Sequence, residues 1–421
     1  MIESILWQAL SPAPAVPLLK ELPERVDAAV IGGGYTGLAA ARALAQGGAS
    51  VVVLEQHRVG AGASSRNGGM VLPGYKADLP DLVRRHGLAL ARRLWDDSLA
   101  AIGFVESLIA TEGIACDWRR AGHVTLAAKP SHLGPLEGAR ELLQRDFNYT
   151  TQLLGPTELR GEIGSPRYYG GLLDPGAGAL QPAAYLAGLA ASALRAGARV
   201  SELTAVHAID REPGGFRLAT ERGPLSAAEV VVATNGYTGR LTPYLARRVV
   251  PVGSFIVATV PLDPAVARRL IPNDRMLSDT RNLLYYFRLS PDRRLVFGGR
   301  AAFLPTALEE SRALLARGIA EVFPDLGPVA LEHAWGGTLG FALDQMPHAG
   351  RHEGVTYAVG FGGHGVALAS WLGDRIGHAL GGRGPWPALT ELRFPAIPFY
   401  RGRPWFLPLA GAYYGLKDRL V

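Results

Sequence analysis

The 421-residue chain contains one cysteine, Cys116. No intrachain disulfide and no cysteine metal cluster can therefore form, which excludes a disulfide scaffold and agrees with a reducing compartment. Cys116 sits in the apolar-rich stretch IACDW and reads as a packing residue, not a nucleophile. No metal site is expected. Charged residues are sparse, at 19% against 48% hydrophobic. No run of roughly 18 uncharged apolar residues occurs, so no membrane span is expected. The first residues lack a basic stretch followed by an apolar one, and the expected location is cytoplasmic. Net charge is +6, from 43 Lys+Arg against 37 Asp+Glu. The cations are nearly all arginine and form no long run, so nucleic acid is not an expected partner. An anionic substrate or peripheral contact with a membrane surface stays open.

Glycine is plentiful, with 53 residues, and the chain is organised around Val26 to Met70. Ala28 to Ile31 is an apolar run suited to a buried parallel strand. Gly32-Gly33-Gly34-Tyr35-Thr36-Gly37 follows as G-x-G-x-x-G, then Leu38 to Ala45, which is helical by propensity. Gly32 allows the tight turn, Gly34 lets backbone approach a pyrophosphate, and Gly37 lets helix and strand pack closely. The helix N-terminus offers unpaired N–H groups and a positive dipole end to phosphates. Val51 to Leu54 is the second strand, and Glu55 ends it where an acid accepts hydrogen bonds from ribose hydroxyls. The motif alone is weak evidence. With both strands, the helix and the acid in place it predicts a dinucleotide-binding fold. The next loop, Gly60 to Gly69, is small and polar. Its hydroxyls and N–H groups suit pyrophosphate, and Gly68-Gly69 would let backbone lie against a flat ring.

At this length two domains are expected. Residues 1–25 are a proline-bearing preamble, with Trp7 expected to anchor it on the surface of the first domain. Leu82 to about Gly113 has helical periodicity, Asp117 to Ala128 turns into strand, and His132 to Asp146 is helix again. Leu180 to Ala196 is a small-residue helix, and Arg199 to Ile209 is expected as one strand of the nucleotide sheet. Phe216 to Glu229 suggests a meander. The strand Val230 to Val232 ends in Ala233-Thr234-Asn235-Gly236, a second close approach to a cofactor. Val249 to Val260 and the hairpin Leu283 to Gly299 look antiparallel, with Ser290-Pro291-Asp292 as the turn. Leu308 to Phe323 is an amphipathic helix. Val355 to Val359 is a strand running into Gly360-Phe361-Gly362-Gly363-His364-Gly365-Val366 and another helix, whose dipole could stabilise negative charge on a reduced ring. The expected division is a discontinuous nucleotide domain (1–78, 160–248 and 331–385), a substrate domain (79–159 and 249–330) and a tail (386–421) wrapping over the body.

Three cofactor-like glycine turns, at 32–37, 62–69 and 360–366, interleaved with a β-rich second domain, resemble the FAD-dependent amino acid/amine oxidase family. That family includes D-amino acid, glycine and sarcosine oxidases. The resemblance spans almost the whole chain and is strongest to the gamma-glutamylputrescine oxidoreductase group. It rests on VIGGGYTGLAAARAL, GAGASSRNGG, the YYFRL and LVFGG arms of the hairpin, the WGGT and MPHAGR segments, GFGGHGVALA and AYYGLKDRL. It implies an α/β plus α+β fold: a glutathione-reductase-like FAD-binding Rossmann domain with an inserted antiparallel-sheet substrate domain. By position, it implies Gly32, Gly34, Tyr35, Thr36 and Gly37 at the pyrophosphate and Glu55 and Gln56 at the ribose. Ala63, Ser64, Arg66, Asn67, Gly68 and Gly69 would meet phosphates and flavin, and Val206 the adenine. Ala233, Thr234 and Gly236 would approach the cofactor, and Gly362, Gly363, His364, Gly365 and Val366 would lie along the isoalloxazine. Some relatives attach flavin through a late Cys or through a His in the loop held here by Arg66-Asn67. This chain has neither, so non-covalent FAD is expected.

The resemblance further implies hydride transfer from the carbon beside an amine to flavin N5, imine hydrolysis, and reoxidation by O2 or another acceptor. His364, Tyr286 and Arg288 are the candidate catalytic residues. Strand alternation puts Tyr286 and Arg288 on one face and Tyr285 on the other, and an arginine there would bind a carboxylate. Trp335 is expected to be packing. Two competing readings are a dehydrogenase that passes electrons to quinone and a flavin-binding protein without turnover. An NAD enzyme is disfavoured, because it leaves the second and third glycine turns without a role.

Overall fold

The computed structural model describes residues 3–299 and 307–420. Residues 1, 2, 300–306 and 421, within the expected preamble, substrate domain and tail, lie outside the described residues. Two eight-stranded sheets carry the fold. In the first, Val355–Val359, Gly223–Val232, Arg25–Ile31, Val51–Leu54 and Arg199–Ser201 lie side by side, all parallel. Such strands are covered on both faces, hence their unbroken apolar runs. Ala28, Val30, Val51, Val53 and Val231 face the helices Tyr35–Gln46, Pro182–Arg195 and Gly365–Leu380. Val26, Ala29, Ile31, Val52, Leu54 and Val232 face a three-stranded meander instead, which supplies Phe216, Leu218 and Leu225.

The second sheet runs in the order Leu331–Phe341, Val250–Thr259, Leu295–Gly299, Tyr285–Leu289, Met276–Asp279, His123–Leu126, Gly171–Asp174 and Gln152–Leu154. It is antiparallel except where Met276–Asp279 pairs with His123–Leu126. One face packs Val257, Phe287, Leu289 and Phe297 on the helix Leu308–Val322. The other face carries Ile256, Ala258, Val296 and Trp335, and Tyr286 packs against them.

Several expectations change here. Leu331–Phe341 and Gly171–Asp174 were expected in the nucleotide domain, but both pair into the second sheet. The strand at 199 ends at Ser201, and Val206–Glu212 belongs to the meander. The break lies at Leu203, whose φ is +51°. Residues 117–122 are irregular, and only His123–Leu126 is strand. The long helix Leu79–Glu112 is two helices joined at Gly87. Trp7 does not sit on a surface. It is fully buried with Ile5 and Leu6 between Ala183 of the first domain and Trp335 of the second sheet. In the tail, Leu389 and Phe394 enter the cores of the parallel-sheet half, and Tyr400 and Leu407 pack on Val250 and Val252. Cys116 is buried in the main core. Among the described residues no helix is long and apolar enough to cross a membrane.

Candidate cofactor and active site

A cleft of about 1360 Å³, counted to its open mouth, starts at the edge of the parallel sheet. One end is lined by Glu55, Gln56, His57, Thr204, Val206 and Leu241. Its middle passes the turn Gly32–Gly34 and the first helical residues Tyr35 and Thr36. Its far end meets Asn67, Leu339, Phe361, Gly363, Gly365 and Val366.

The turn is shaped by steric necessity. A Cβ on Gly37 would stand 1.9 Å from the Gly32 carbonyl oxygen, so any side chain there pushes the helix off the strand. Gly34 is the N-cap of Tyr35–Gln46, and the first N–H groups of a helix have no partner within it. The Glu55 carboxylate holds the turn. Its Oε2 accepts from Gly33 N at 2.8 Å, and its Oε1 accepts from His57 N at 2.9 Å. A carboxylate has about four acceptor sites, which leaves capacity for ribose hydroxyls.

The second loop is braced from within. Asn67 Nδ2 donates to the carbonyls of Ser64 (3.0 Å) and Ala63 (3.1 Å) and to Tyr35 Oη (3.4 Å), while Asn67 Oδ1 accepts from Gly69 N at 2.8 Å. Ser64 Oγ accepts from Tyr35 N at 3.1 Å, tying the loop to the helix start. Burial pushes the Tyr35 phenol well above its ordinary range, and it donates to Pro182 O at 3.1 Å, a neutral structural donor. A third tie joins the two later turns: Asn235 Oδ1 accepts from Gly360 N at 2.9 Å.

Of the residues singled out from sequence, Gly32, Gly34, Tyr35, Thr36, Glu55, Gln56, Ala63, Ser64, Asn67, Val206, Ala233, Thr234, Gly363, Gly365 and Val366 come together on the cleft wall. Gly37, Arg66, Gly68, Gly69, Gly236, Gly362 and His364 are not on that wall. Gly37 serves helix–strand packing. Arg66 turns away to Glu3 Oε1 (2.7 Å), Gly336 O (3.0 Å) and Ala61 O (2.8 Å), tying loop to second sheet. Gly236 lies against the Leu339 backbone and Gly362 against Lys76. Gly68 lies under the Tyr286 ring, and Gly69, at φ +66°, lies against Leu180 O. His364 is the N-cap of Gly365–Leu380.

Tyr286 and Arg288 share the inward face of their strand, and Tyr285 packs on Phe297 on the other side. The Tyr286 and Ser254 hydroxyls are 3.3 Å apart. Arg288 is 1% exposed. It donates to Gly69 O at 2.9 Å, and its guanidinium lies 5.1 Å from the Trp7 ring. Burial, with the Arg119 guanidinium nearby, pushes it down to about 9. Through the bond to Gly69 O, Arg288 braces the second loop. Sequence reasoning missed the wall residues Tyr237, Thr238, Leu241, Leu339 and Phe361. The first three directly follow the ATNG turn, which was a usable signal. Leu339 carried none, because its strand was not recognised.

The wall fits FAD. Among the lining residues Glu55 is the only acid and none is Lys or Arg, so a pyrophosphate would rest on backbone N–H groups and a helix end. Among the described residues there is no cluster that could hold a metal ion. A glycine turn closed by an acid, a cleft running from that acid to a second helix N-terminus, and a second sheet at its far end define a flavin-dependent redox enzyme. The chain belongs to the DAO family of FAD dependent oxidoreductases, which matches residues 27–379. It is 35% identical over 400 residues to gamma-glutamylputrescine oxidoreductase of Escherichia coli, covering 94% of this chain and 93% of that protein. It is 34% identical over 387 residues to the probable oxidoreductase OrdL of Haemophilus influenzae, covering 90% of this chain and 88% of that one. Glycine oxidase from Geobacillus kaustophilus has the same fold, with a TM-score of 0.71 at 24% identity over 90% of this chain and 99% of that one.

Proposed function

We propose that the protein oxidises the C–N bond of a primary or secondary amine or amino acid and hands the electrons to dioxygen. Bound FAD would supply two-electron redox chemistry: the carbon beside the amine would lose a hydride and the amine a proton, O2 would be reduced to H2O2, and water would hydrolyse the imine to a carbonyl product and an amine or ammonia. The observation that carries this reading is the single cleft joining the Glu55 end to the second helix N-terminus at Gly365 and Val366. In this reading the parallel-sheet half of the chain holds the cofactor and the second sheet bears on the substrate.

The residues divide the work. The Gly32–Gly37 turn and its helix hold the pyrophosphate, and Glu55 holds the ribose. The 16-residue helix Gly365–Leu380 brings a positive dipole end of about half a charge to the far end of the cleft, where it stabilises developing negative charge. The Tyr286 and Ser254 hydroxyls, beside Gly68, orient the polar tail of the substrate. His364, the N-cap of that helix, is the residue from which its N-terminus starts and remains the candidate beside the far end of the cleft. Arg288, through Gly69, keeps the loop in place and acts on position, not on bonds. The only carboxylate on the wall is at the ribose end, so the amine loses its proton to solvent. Hydrogen peroxide and carbonyl assays with gamma-glutamyl amines, polyamines, N-methyl amino acids and D-amino acids test the reading. Product from none of these classes would remove it.

A further inference from the structure

The last helix, Leu407–Leu420, carries apolar residues on its inward and outward sides and an inward acid. Leu407 faces inward and is buried against the second sheet. Asp418 is turned inward too, accepting from Asn282 N (2.8 Å), Asn282 Nδ2 (2.7 Å) and Leu283 N (2.8 Å). The outward stripe is Leu409, Ala412, Tyr413 and Leu416, all exposed, at the spacing of one helix face. Trp405 and Phe399 extend it, and Phe399 is 92% exposed. This outward apolar stripe stays exposed, while the inward side is held by Leu407 and Asp418.

The surrounding charge indicates what covers the other. Arg401, Arg403 and Lys417 are exposed in the same segment. Gly402 packs against the backbone oxygens of Gly239 and Ala246, which brings the exposed Arg240 and Arg247 alongside. None of these five cations forms a salt bridge among the described residues. Between Glu391 and Asp418 there is no acid, and there is none in 230–248. Exposed aromatics interleaved with unpaired cations match the interface of an anionic bilayer, where Trp and Tyr sit at headgroup depth and Arg and Lys meet lipid phosphates. A second copy docked on this face by two-fold symmetry would set the same arginines against each other.

We propose that the helix Leu407–Leu420, with Phe399 and Trp405, is a peripheral docking face for an anionic lipid surface. The face borders the cleft, because Tyr237, Thr238 and Leu241 on the cleft wall flank the Gly239 and Arg240 that pack beside Gly402. The test is flotation of the full-length, FAD-loaded protein with phosphatidylcholine vesicles with and without phosphatidylglycerol, at low and high salt. The protein is expected to float with the anionic vesicles only, and less so at high salt. Arg401→Gln with Arg403→Gln should lower binding by roughly fivefold per charge removed. Leu409→Ser with Tyr413→Ser should lower it at least about tenfold. Retention of the visible flavin spectrum shows that each variant is folded. Equal flotation with neutral vesicles, no flotation, or binding unchanged in both variants overturns the proposal. So does a dimer in solution that Leu409→Ser with Tyr413→Ser dissolves while vesicles are ignored.

Discussion

Replacing Asn67 by Ala removes the internal brace of the second loop while leaving the first glycine turn intact. The side chain makes three donor contacts and one acceptor contact, all partly buried. At about 1 kcal/mol net for each good bond, and less for the 3.4 Å contact to Tyr35, the loop loses about 3 kcal/mol of local stability. Ser64 couples that loop to the helix N-terminus, so a loosened loop also releases the Tyr35 N–H it now caps. If half of the loss falls on cofactor binding, the FAD dissociation constant rises roughly tenfold. Titrating FAD into apoprotein and following flavin fluorescence reads this directly. The apoprotein melting temperature checks that the fold survives. Asn67→Asp separates geometry from packing: it keeps the acceptor for Gly69 N but sets a carboxylate oxygen against two carbonyls, so it should bind FAD no better than the alanine variant. FAD affinity within twofold of wild type in both variants would refute the reasoning.

Further predictions concern other parts of the molecule. Gly37→Ala forces a Cβ to within 1.9 Å of Gly32 O and should leave no FAD-loaded protein on purification, as the flavin absorbance will show. Acid precipitation should release all the flavin into the supernatant, because Cys116 is buried in the core and burial pushes its thiol up to about 12. kcat/KM should rise with pH until the substrate amine is neutral, and the midpoint should follow the amine when substrates are changed. His123 is buried neutral, held down at about 4 by desolvation and bonded to Ser278 Oγ at 2.9 Å. Its unfolded value is higher, so stability present above about pH 6.5 is lost as pH falls towards 4, by up to about 3 kcal/mol. Thermal melts of the wild type and of His123→Gln across that range should diverge with this sign.

The nucleotide-binding unit was legible because its constraints are local. Gly37 must be small for Tyr35–Gln46 to cross Arg25–Ile31, and Glu55 must follow the second strand. The hairpin from Tyr285 was legible from alternation and a turn. Leu331–Phe341 was not, because Gly336, Gly337 and Gly340 lower its strand propensity and mimic a loop. Its place is set instead by ten pairings to Val250–Thr259. The protein partners of Arg66 and Arg288, at Glu3, Gly336 and Gly69, were not legible. Where a long side chain points depends on what else is buried nearby, and Trp7, whose ring lies 5.1 Å from the Arg288 guanidinium, comes from a proline-bearing stretch with no periodic signal. Tyr237 and Leu339 reach the same cleft from separate sheets, a meeting fixed only by tertiary packing.

The central claim is that this cleft oxidises an amine with its flavin. Mixing the FAD-loaded protein with gamma-glutamyl amines and related amines in the absence of oxygen tests it most directly. The visible flavin band should bleach with at least one of them and return on admitting air, with hydrogen peroxide formed. A band that no amine or amino acid bleaches, in protein that holds its FAD, would contradict it.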